Sequence, residues 1–269
     1  ERRLRQVVGK AGCRIYPKLV VEIGPAGVVV HHYKTNSFIR YGFKRIIAKS
    51  LGELIGLDAL SLMKKPSFAI FIGCMFLICI PLYFYFVMMS IYLTELEWTK
   101  ITLKMSFAQV SDIVFMFCLP IMLKKFGYKK TIFLGILAWA ARYFCLGGSV
   151  NAATLSTPLI FAAILMHGVC YDFLFIAGQL YVDDEANPKI RAACQGFIAF
   201  ILWGVGAFVG TMLAGKVLAM YETVDKAGNK IHEWASIWPI PACLSVGVLI
   251  IFALFFREPT TKTVEEETA

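Results

Sequence analysis

Charged residues are scarce in this 269-residue sequence. They make up 17% of the chain against 58% hydrophobic residues, and the mean hydropathy is +0.68. Ordinary soluble domains carry charges at about a quarter of their positions. The composition therefore excludes an ordinary soluble domain and indicates an integral membrane protein.

Motifs for catalysis and for metal binding are also lacking. The eight cysteines form no CxxC pair, and the four histidines are scattered along the chain. Neither a nucleophile elbow, a phosphate loop nor a zinc motif occurs. Cysteine in an apolar helix usually acts as a small space-filling residue. We therefore expect no metal and no prosthetic cofactor, and the sequence gives little support to an enzyme.

Long apolar runs, in contrast, are plentiful after residue 66. A helix needs roughly 20 residues to cross the hydrocarbon core of a bilayer, and unalternating runs of this length are typical of helices rather than barrel strands. The sequence predicts an all-α membrane protein with a linker at 51–66, a six-helix bundle at 67–256 and a tail at 257–269. The six predicted spans are Ser67–Leu93, Ile101–Leu123, Thr131–Gly148, Pro158–Val182, Ala192–Met220 and Trp234–Phe256.

Basic residues in the connectors predict the orientation of the bundle. Ten fall on one side, namely Lys64, Lys65, Lys124, Lys125, Lys129, Lys130, Lys189, Arg191, Arg257 and Lys262. Four fall on the other side, namely Lys100, Lys104, Lys226 and Lys230. Cytoplasmic loops carry the excess of Lys and Arg. Both ends of the bundle are thus predicted to be cytoplasmic, in a plasma (inner) membrane.

The first 50 residues differ in character from the rest. They hold 11 Lys and Arg against 2 acids, so their net charge of +9 equals that of the whole chain. Short strand-like runs interrupted by Gly24 and Pro25 replace any sustained helical period. We interpret residues 1–50 as an unassigned basic segment, truncated or frameshifted. Such a segment could attract anionic lipid or nucleic acid, but we expect membrane lipid and no nucleic acid as a partner.

Two polar residues interrupt the second predicted span. An ionisable residue at bilayer depth costs at least about 2.5–3.5 kcal/mol, so it normally faces a cavity or a partner. Asp112 lies near the middle of the span, and Gln109 precedes it by one helical turn on the same side. The two could form a hydrogen-bonding pair that lines a solute cavity, with Asp112 as proton carrier, or an interhelical clamp.

A second carboxylate lies in the fourth span. Asp172 is flanked by Tyr171 and Phe173, and Phe175 follows one turn later. Aromatic rings stack on flat groups and a carboxylate accepts hydrogen bonds from hydroxyls, which suits a planar, polyhydroxylated ligand. His167, one turn before Tyr171, is interpreted as a packed histidine in preference to a proton relay.

The third and fifth spans carry two further signals. Arg142 lies within two turns of the external end of its span, where it either pairs with an intramembrane acid or reaches to the surface. Gly206, Gly210 and Ala214 recur at a four-residue spacing. Small residues at this spacing predict that neighbouring helices approach closely.

From about residue 56 the chain resembles the C-terminal six-helix half of nucleoside:proton symporters of the major facilitator superfamily. The motifs that carry the resemblance are GLDALSLMKK (56–65), AQVSDIVF (108–115), LKKFGYKK (123–130), LAWAARYF (137–144), HGVCYDFLFIAG (167–178), NPKIRAACQGF (187–197) and GKVLAMY (215–221).

The resemblance implies twelve helices in two halves, with a nucleoside-like solute bound between them and alternating access as the mechanism. The partner of this chain would then be an N-terminal six-helix half, and the coupling ion would be a proton. Gln109, Asp112 and Asp172 match polar positions implied to contact solute or take part in proton coupling. Arg191 matches an arginine near three acids of an implied cytoplasmic gate, namely Asp183, Asp184 and Glu185.

The sequence departs from this family pattern at three positions. Tyr83, Phe86 and Phe175 stand where better-known members place amide side chains, which leaves the base preference open and makes Tyr83 a further candidate for solute contact. A carrier of another small polar solute, a six-helix oligomeric channel or scaffold, and a membrane enzyme that uses Asp112, Asp172 and His167 remain alternatives.

Overall fold

A computed structural model describes residues 19–24, 27–34, 37–41, 57–188 and 190–258. Contacts between residues divide the chain into two units, 1–49 and 50–269. The predictions for 1–18, 25–26, 35–36 and 42–50 of the basic segment, for 51–56 of the linker, for Lys189 and for 259–269 of the tail lie outside the described residues.

The first unit contains a small antiparallel sheet. Its strands are β1 (Leu19–Gly24), β2 (Gly27–Lys34) and β3 (Ser37–Tyr41), paired in the order β1-β2-β3. Leu19 pairs with His32, and Val30 pairs with both Val21 and Tyr41. The runs are rich in valine, whose branched side chain suits the pleated strand. The predicted strand-like character of this segment is confirmed.

The second unit is built almost entirely from helices. A 3-10 helix, Leu57–Lys64, leads into α1. The α-helices are α1 (Pro66–Glu95), α2 (Ile101–Met105), α3 (Phe107–Asn151), α4 (Ser156–Leu165), α5 (His167–Tyr171), α6 (Ala177–Glu185), α7 (Arg191–Ala199), α8 (Ala207–Met220), α9 (Trp234–Ile237) and α10 (Pro239–Phe255). Two π-helical turns, Asp172–Ile176 and Phe200–Gly206, join α5 to α6 and α7 to α8. Strands β4 (Glu222–Val224) and β5 (Lys230–His232) form a hairpin between α8 and α9.

Within the described residues, four helical stretches are long and apolar enough to cross a membrane. They are Pro66–Glu95, Ile101–Asn151, Arg191–Met220 and Trp234–Phe255. The pair Ser156–Leu165 and His167–Glu185, bent by 41°, makes a fifth if counted as one span. The count of six differs from this result because a single 51-residue helical stretch covers both the second and the third predicted span.

That long stretch is interrupted at Gly127. The residue has φ 73° and ψ 179°, which is not helical. The carboxylate of Glu258 accepts hydrogen bonds from the backbone N–H groups of Tyr128, at 2.8 Å, and Lys129, at 3.3 Å. Two of the N–H groups at the start of the following helical segment thus find a partner outside the helix.

Helix α1 is the most buried long helix of the unit and packs against α8 and α10. A Cβ atom added to Gly206 would lie 2.8 Å from Cβ of Cys79, and one added to Gly210 would lie 2.8 Å from Cβ of Tyr83. Ala214 is fully buried. The small residues therefore let α8 and the turn before it lie directly against α1, and the close packing predicted from their spacing is confirmed.

Helix α3 approaches the α4–α6 segment equally closely at two levels. A Cβ atom on Gly135 would lie 2.7 Å from the backbone nitrogen of Leu174, and one on Gly168 would lie 2.5 Å from the backbone oxygen of Ser111. The hydroxyl of Ser111 also donates to the carbonyl oxygen of Leu165 and accepts from the N–H of Gly168, at 3.0 Å. Asp112 follows Ser111 and His167 precedes Gly168, so these contacts hold Asp112 and His167 beside each other.

Candidate functional site

Asp112 and His167 form the first contact of the candidate site. Oδ2 of Asp112 lies 3.9 Å from Nε2 of His167, and the Asp112 side chain is 28% exposed. Oδ1 of Asp112 and Nδ1 of His167 are buried with no hydrogen-bond partner in the described part of the chain. Asp112 therefore has one oxygen facing a titratable ring and one without a partner.

Gln109, the other polar residue of this span, is exposed. Its side chain makes no hydrogen bond to Asp112 or to another described residue. The predicted role of Gln109 in solute binding stays a prediction, since its amide is accessible but unengaged.

Two tyrosine rings contact the imidazole of His167. His167 stacks on Tyr171, with centroids 5.7 Å apart, and on Tyr85 of α1, with centroids 6.1 Å apart. Tyr171 in turn packs against Phe175 at 5.3 Å and Trp203 at 6.3 Å. Of the predicted site residues, Tyr171 thus contacts His167, and Phe175 packs behind Tyr171.

Asp172 opens the π-helical turn that follows α5. It is 1% exposed, and its Oδ2 atom has no hydrogen-bond partner among the described residues. π-Helical turns are rare and occur frequently at functional sites. Asp172 lies close enough to Asp112 for the two charges to interact. The two predicted carboxylates therefore belong to one cluster in different surroundings, one partly accessible and one fully enclosed.

Arg142 completes this cluster from the second part of α3. Its side chain is fully buried. The guanidinium carbon lies 4.3 Å from the ring centroid of Tyr85 and 4.6 Å from that of Trp139. The described residues include no ion-pair partner for it within contact distance. Of the two alternatives raised for Arg142, the structure shows neither a reach to the surface nor a formed ion pair.

Tyr83 lies apart from this contact set. It is half-buried, its ring packs edge-on against Phe86 at 5.8 Å, and its Cβ faces Gly210. Tyr83 thus contributes chiefly to the α1–α8 contact, and solute contact by its hydroxyl stays a prediction.

The three acids near the end of α6 each meet a partner from a different segment. Asp183 pairs with Nε of Arg191 at 3.4 Å, and Glu185 pairs with Nζ of Lys65 at 2.8 Å. The hydroxyl of Tyr128 donates to Asp184. The predicted grouping of Arg191 with these acids is therefore present as a set of contacts between the ends of four segments, while its action as a gate stays a prediction.

Sequence reasoning passed over Tyr85 and Trp139, which hold Arg142 and His167. Tyr85 contacts Arg142 from α1, whereas Trp139 contacts it from one turn earlier in α3, and 22 Phe, 11 Tyr and 5 Trp in the chain offer no way to single the two residues out. Arg142 itself carried a usable signal, since a guanidinium within a span requires some compensating contact.

A separate groove of about 560 Å³ runs between α1 and α10. It is lined by apolar side chains and glycine, among them Leu77, Ile80 and Leu244, and by none of the cluster residues. The chemistry of this groove suits hydrocarbon rather than a polar solute.

Membrane-spanning helices that enclose carboxylates, a guanidinium and a histidine among aromatic rings are typical of membrane transport proteins. The model of the nucleoside H⁺ symporter family matches residues 41–261, and the chain belongs to this family. It is an integral membrane protein of a family of transporters rather than enzymes.

Comparisons with individual proteins agree with this assignment. The chain is 36% identical to YegT of Escherichia coli (strain K12) over 217 residues, and 28% identical to the nucleoside permease NupG of the same organism over 219 residues. Each alignment covers 78% of this chain and 51% of the relative. The crystal structure of NupG superposes with a TM-score of 0.65 at 26% identity, covering 80% of this chain and 54% of NupG. The chain thus spans about half the length of the relatives it matches.

Proposed function

We propose that these residues form the C-terminal half of a proton-coupled transporter that imports nucleosides by alternating access. The observation that carries the proposal is the cluster of Asp112, Asp172 and His167 among aromatic rings, in a chain of the nucleoside H⁺ symporter family. A nucleoside offers a flat base to the rings and ribose hydroxyls to a carboxylate.

The half-transporter part of the proposal is supported by length and by the break at Gly127. The relatives are about twice as long as the matched region. If Gly127 divides the 51-residue stretch into two crossings, the unit has six spans with both ends on one side, which the basic connectors make the cytoplasmic side of the inner membrane. A six-helix half is the repeat unit of the major facilitator fold, and its solute site lies between two such halves.

The transport cycle follows from the two carboxylates. Apolar surroundings favour the neutral form of a carboxylic acid, so a buried aspartate can take up a proton from the external side and release it on the cytoplasmic side. Protonation and solute binding together shift the equilibrium between outward-facing and inward-facing states. The contacts of Asp183, Asp184 and Glu185 at the end of α6 form in one of these states and open in the other.

The identity of the transported solute is the part of the proposal that the fewest residues define. Phe175 is fully buried against Tyr171 and Trp203, at a position where the family pattern places an amide. Fewer amides leave fewer groups to recognise the edge of a base. A different flat polar solute on the same fold is therefore the second candidate.

Uptake of radiolabelled uridine and adenosine tests the proposal, in cells without their own nucleoside carriers that express the full-length gene. We expect uptake to depend on the proton gradient and to be lost in Asp112→Asn and Asp172→Asn. Asp225→Asn is the matched control, because Asp225 lies in the turn of the β4–β5 hairpin, outside the spans. Gradient-independent uptake in the parent, or full coupled uptake in both cluster variants, would contradict the proposal.

A further inference from the structure

Arg142 is a buried cation whose charge is not neutralised by any contact in the described residues. The side chain is 0% exposed, and Nε, Nη1 and Nη2 are all buried without a hydrogen-bond partner in this part of the chain. A guanidinium stays protonated in proteins, so it cannot relieve this situation by losing its proton.

The two aromatic contacts of Arg142 offset only part of the cost of its burial. Tyr85 and Trp139 lie 4.3 and 4.6 Å from the guanidinium carbon. A cation–π contact stabilises a cation only modestly, whereas removing an ion from water is far more costly. The remaining cost of burying Arg142 requires a negative charge close to its guanidinium.

Asp112 is the acid placed to supply that charge. Its neighbour His167 stacks on Tyr85, the same ring that Arg142 covers, and Asp112 lies 3.9 Å from His167. Oδ1 of Asp112 is itself buried and without a partner in the described residues.

We propose that Arg142 is the counter-charge of Asp112: it favours the ionised carboxylate, and the two side chains pair directly once Asp112 has released its proton. The step breaks the O–H bond of Asp112, passes the proton to water and leaves a carboxylate that faces a fixed cation. Before that step Tyr85 contacts the guanidinium at 4.3 Å and stacks on His167, which lies 3.9 Å from Asp112. Arg142 is thus a positioning residue for proton release. This role rests on the proposed function, whereas the pairing of Arg142 with Asp112 does not.

Other titratable groups face Asp112 from the elements packed around it. They are His167 from α5, Cys170 and Tyr171 from the same helix, Asp172 from the π-helical turn, and Tyr85 from α1. Arg142 differs from these groups because its charge is permanent. Its removal should therefore change the proton affinity of Asp112 in a way that no other member compensates.

Carbodiimide labelling measures that affinity without any need for transport, because a carbodiimide reacts with a protonated carboxyl group in apolar surroundings. The purified full-length protein is labelled with dicyclohexylcarbodiimide over a range of pH, and modification of the Asp112 peptide is followed by mass spectrometry. For Arg142→Gln we expect the pH of half-maximal labelling to rise by about one unit or more, since an opposite charge is removed. Arg142→Lys, which keeps the charge, should remain close to the parent.

Lys216→Gln is the matched control, because it removes an exposed positive charge from α8. An Arg142→Gln midpoint equal to that of the parent or of Lys216→Gln would overturn the pairing. A shift of the same size in Arg142→Lys would also overturn it, since geometry rather than charge would then be responsible.

Thermal unfolding provides the second measurement if Arg142→Gln is poorly folded. Asp112→Asn leaves Arg142 without its counter-charge, so the double variant Asp112→Asn/Arg142→Gln should melt at a higher temperature than Asp112→Asn alone. A double variant that melts at or below the temperature of Asp112→Asn would contradict the pairing. If the parent protein shows no nucleoside uptake but Arg142→Gln still shifts the labelling midpoint, the proposed function is refuted and the pairing of Arg142 with Asp112 is retained.

Discussion

Buried polar atoms at the candidate site are separated by aromatic rings rather than joined by hydrogen bonds. The Tyr85 ring contacts both Arg142 and His167, and the Tyr171 ring also stacks on the imidazole of His167. A buried polar group without a hydrogen-bond partner lowers stability, so such groups are retained where they serve a function. Five residues with such atoms, Tyr85, Asp112, Arg142, His167 and Asp172, fall within this cluster.

Glu95, at the end of α1, shows the opposite situation and gives a stability prediction. Its carboxylate accepts from Nδ1 of His232 at 2.6 Å, the N–H of His232 at 3.1 Å and Nε1 of Trp234 at 2.7 Å. Hydrogen bonds to charged groups contribute about 1.5–3 kcal/mol. We expect Glu95→Gln to lower stability by about 2 kcal/mol, measured by thermal unfolding in detergent. Glu97→Gln, exposed two residues later, is the control, and equal melting of both variants would contradict the role of Glu95.

The β4–β5 hairpin gives a pH prediction outside the spans. A hydrogen bond from Lys230 to Glu222 holds the pKa of that carboxyl below its ordinary value. Since the pKa is depressed in the folded state, the stabilisation is present above the ordinary carboxyl pKa and is lost as the pH falls through the depressed value. We expect amide exchange in both strands, corrected for intrinsic rates, to accelerate on acidification, and Lys230→Gln to reduce this pH dependence. The same acid response in Lys230→Gln as in the parent would contradict the assignment.

At the residue scale, the sequence predicts the carboxylates better than their surroundings. Asp112 and Asp172 are visible because an acid in an apolar run is rare and costly. Their grouping with Tyr85 and Trp139 depends on contacts between residues tens of positions apart, which hydropathy does not encode. His167 was interpreted as a packed histidine, and its 3.9 Å distance from Asp112 adds a polar contact to that packing.

At the level of helices, hydropathy locates the spans and glycines set their contacts. The predicted spans at 67–93 and 192–220 fall within helical stretches observed over Pro66–Glu95 and Arg191–Met220. The π-helical turns at Asp172–Ile176 and Phe200–Gly206 were not predicted, because they add one residue to a turn without changing its polarity. The helix bend between α4 and α5 has no proline or glycine at Met166 to signal it.

Gly127 is the position where one residue decides the path of a helix. Its φ of 73° lies in the left-handed region, and a Cβ would come 2.8 Å from Oε1 of Glu258. We expect Gly127→Ala to destabilise by about 1–2 kcal/mol from the backbone conformation alone, again measured by thermal unfolding.

Gly215 offers the matched control for that substitution. It lies in α8, and a Cβ there would meet no atom within 4 Å. Gly215→Ala should therefore be neutral or slightly stabilising, because alanine is the better helix former. If the two alanine variants melt alike, the conformational demand at Gly127 is refuted.

At the scale of the whole molecule, two findings belong together: the chain is a member of the nucleoside H⁺ symporter family, and it covers about half the length of its relatives. The helices of 57–258 place both carboxylates in one cluster, and the relatives are about twice as long as the matched region. Gln109 is exposed and Asp112 is partly open, and in the proposed two-half arrangement the opposite half would cover them. Three strands lie among the described residues of the basic segment, which belong to a separate unit from the helices.

The most direct test of the central claim is the movement of protons that accompanies solute. Uridine is added to weakly buffered, de-energised cells that express the full-length gene, and the external pH is followed. Co-import of protons predicts that the medium becomes more alkaline on addition of uridine, that an uncoupler abolishes the signal, and that Asp112→Asn and Asp172→Asn lack it. Uridine uptake without any pH change in the parent would contradict proton-coupled nucleoside transport.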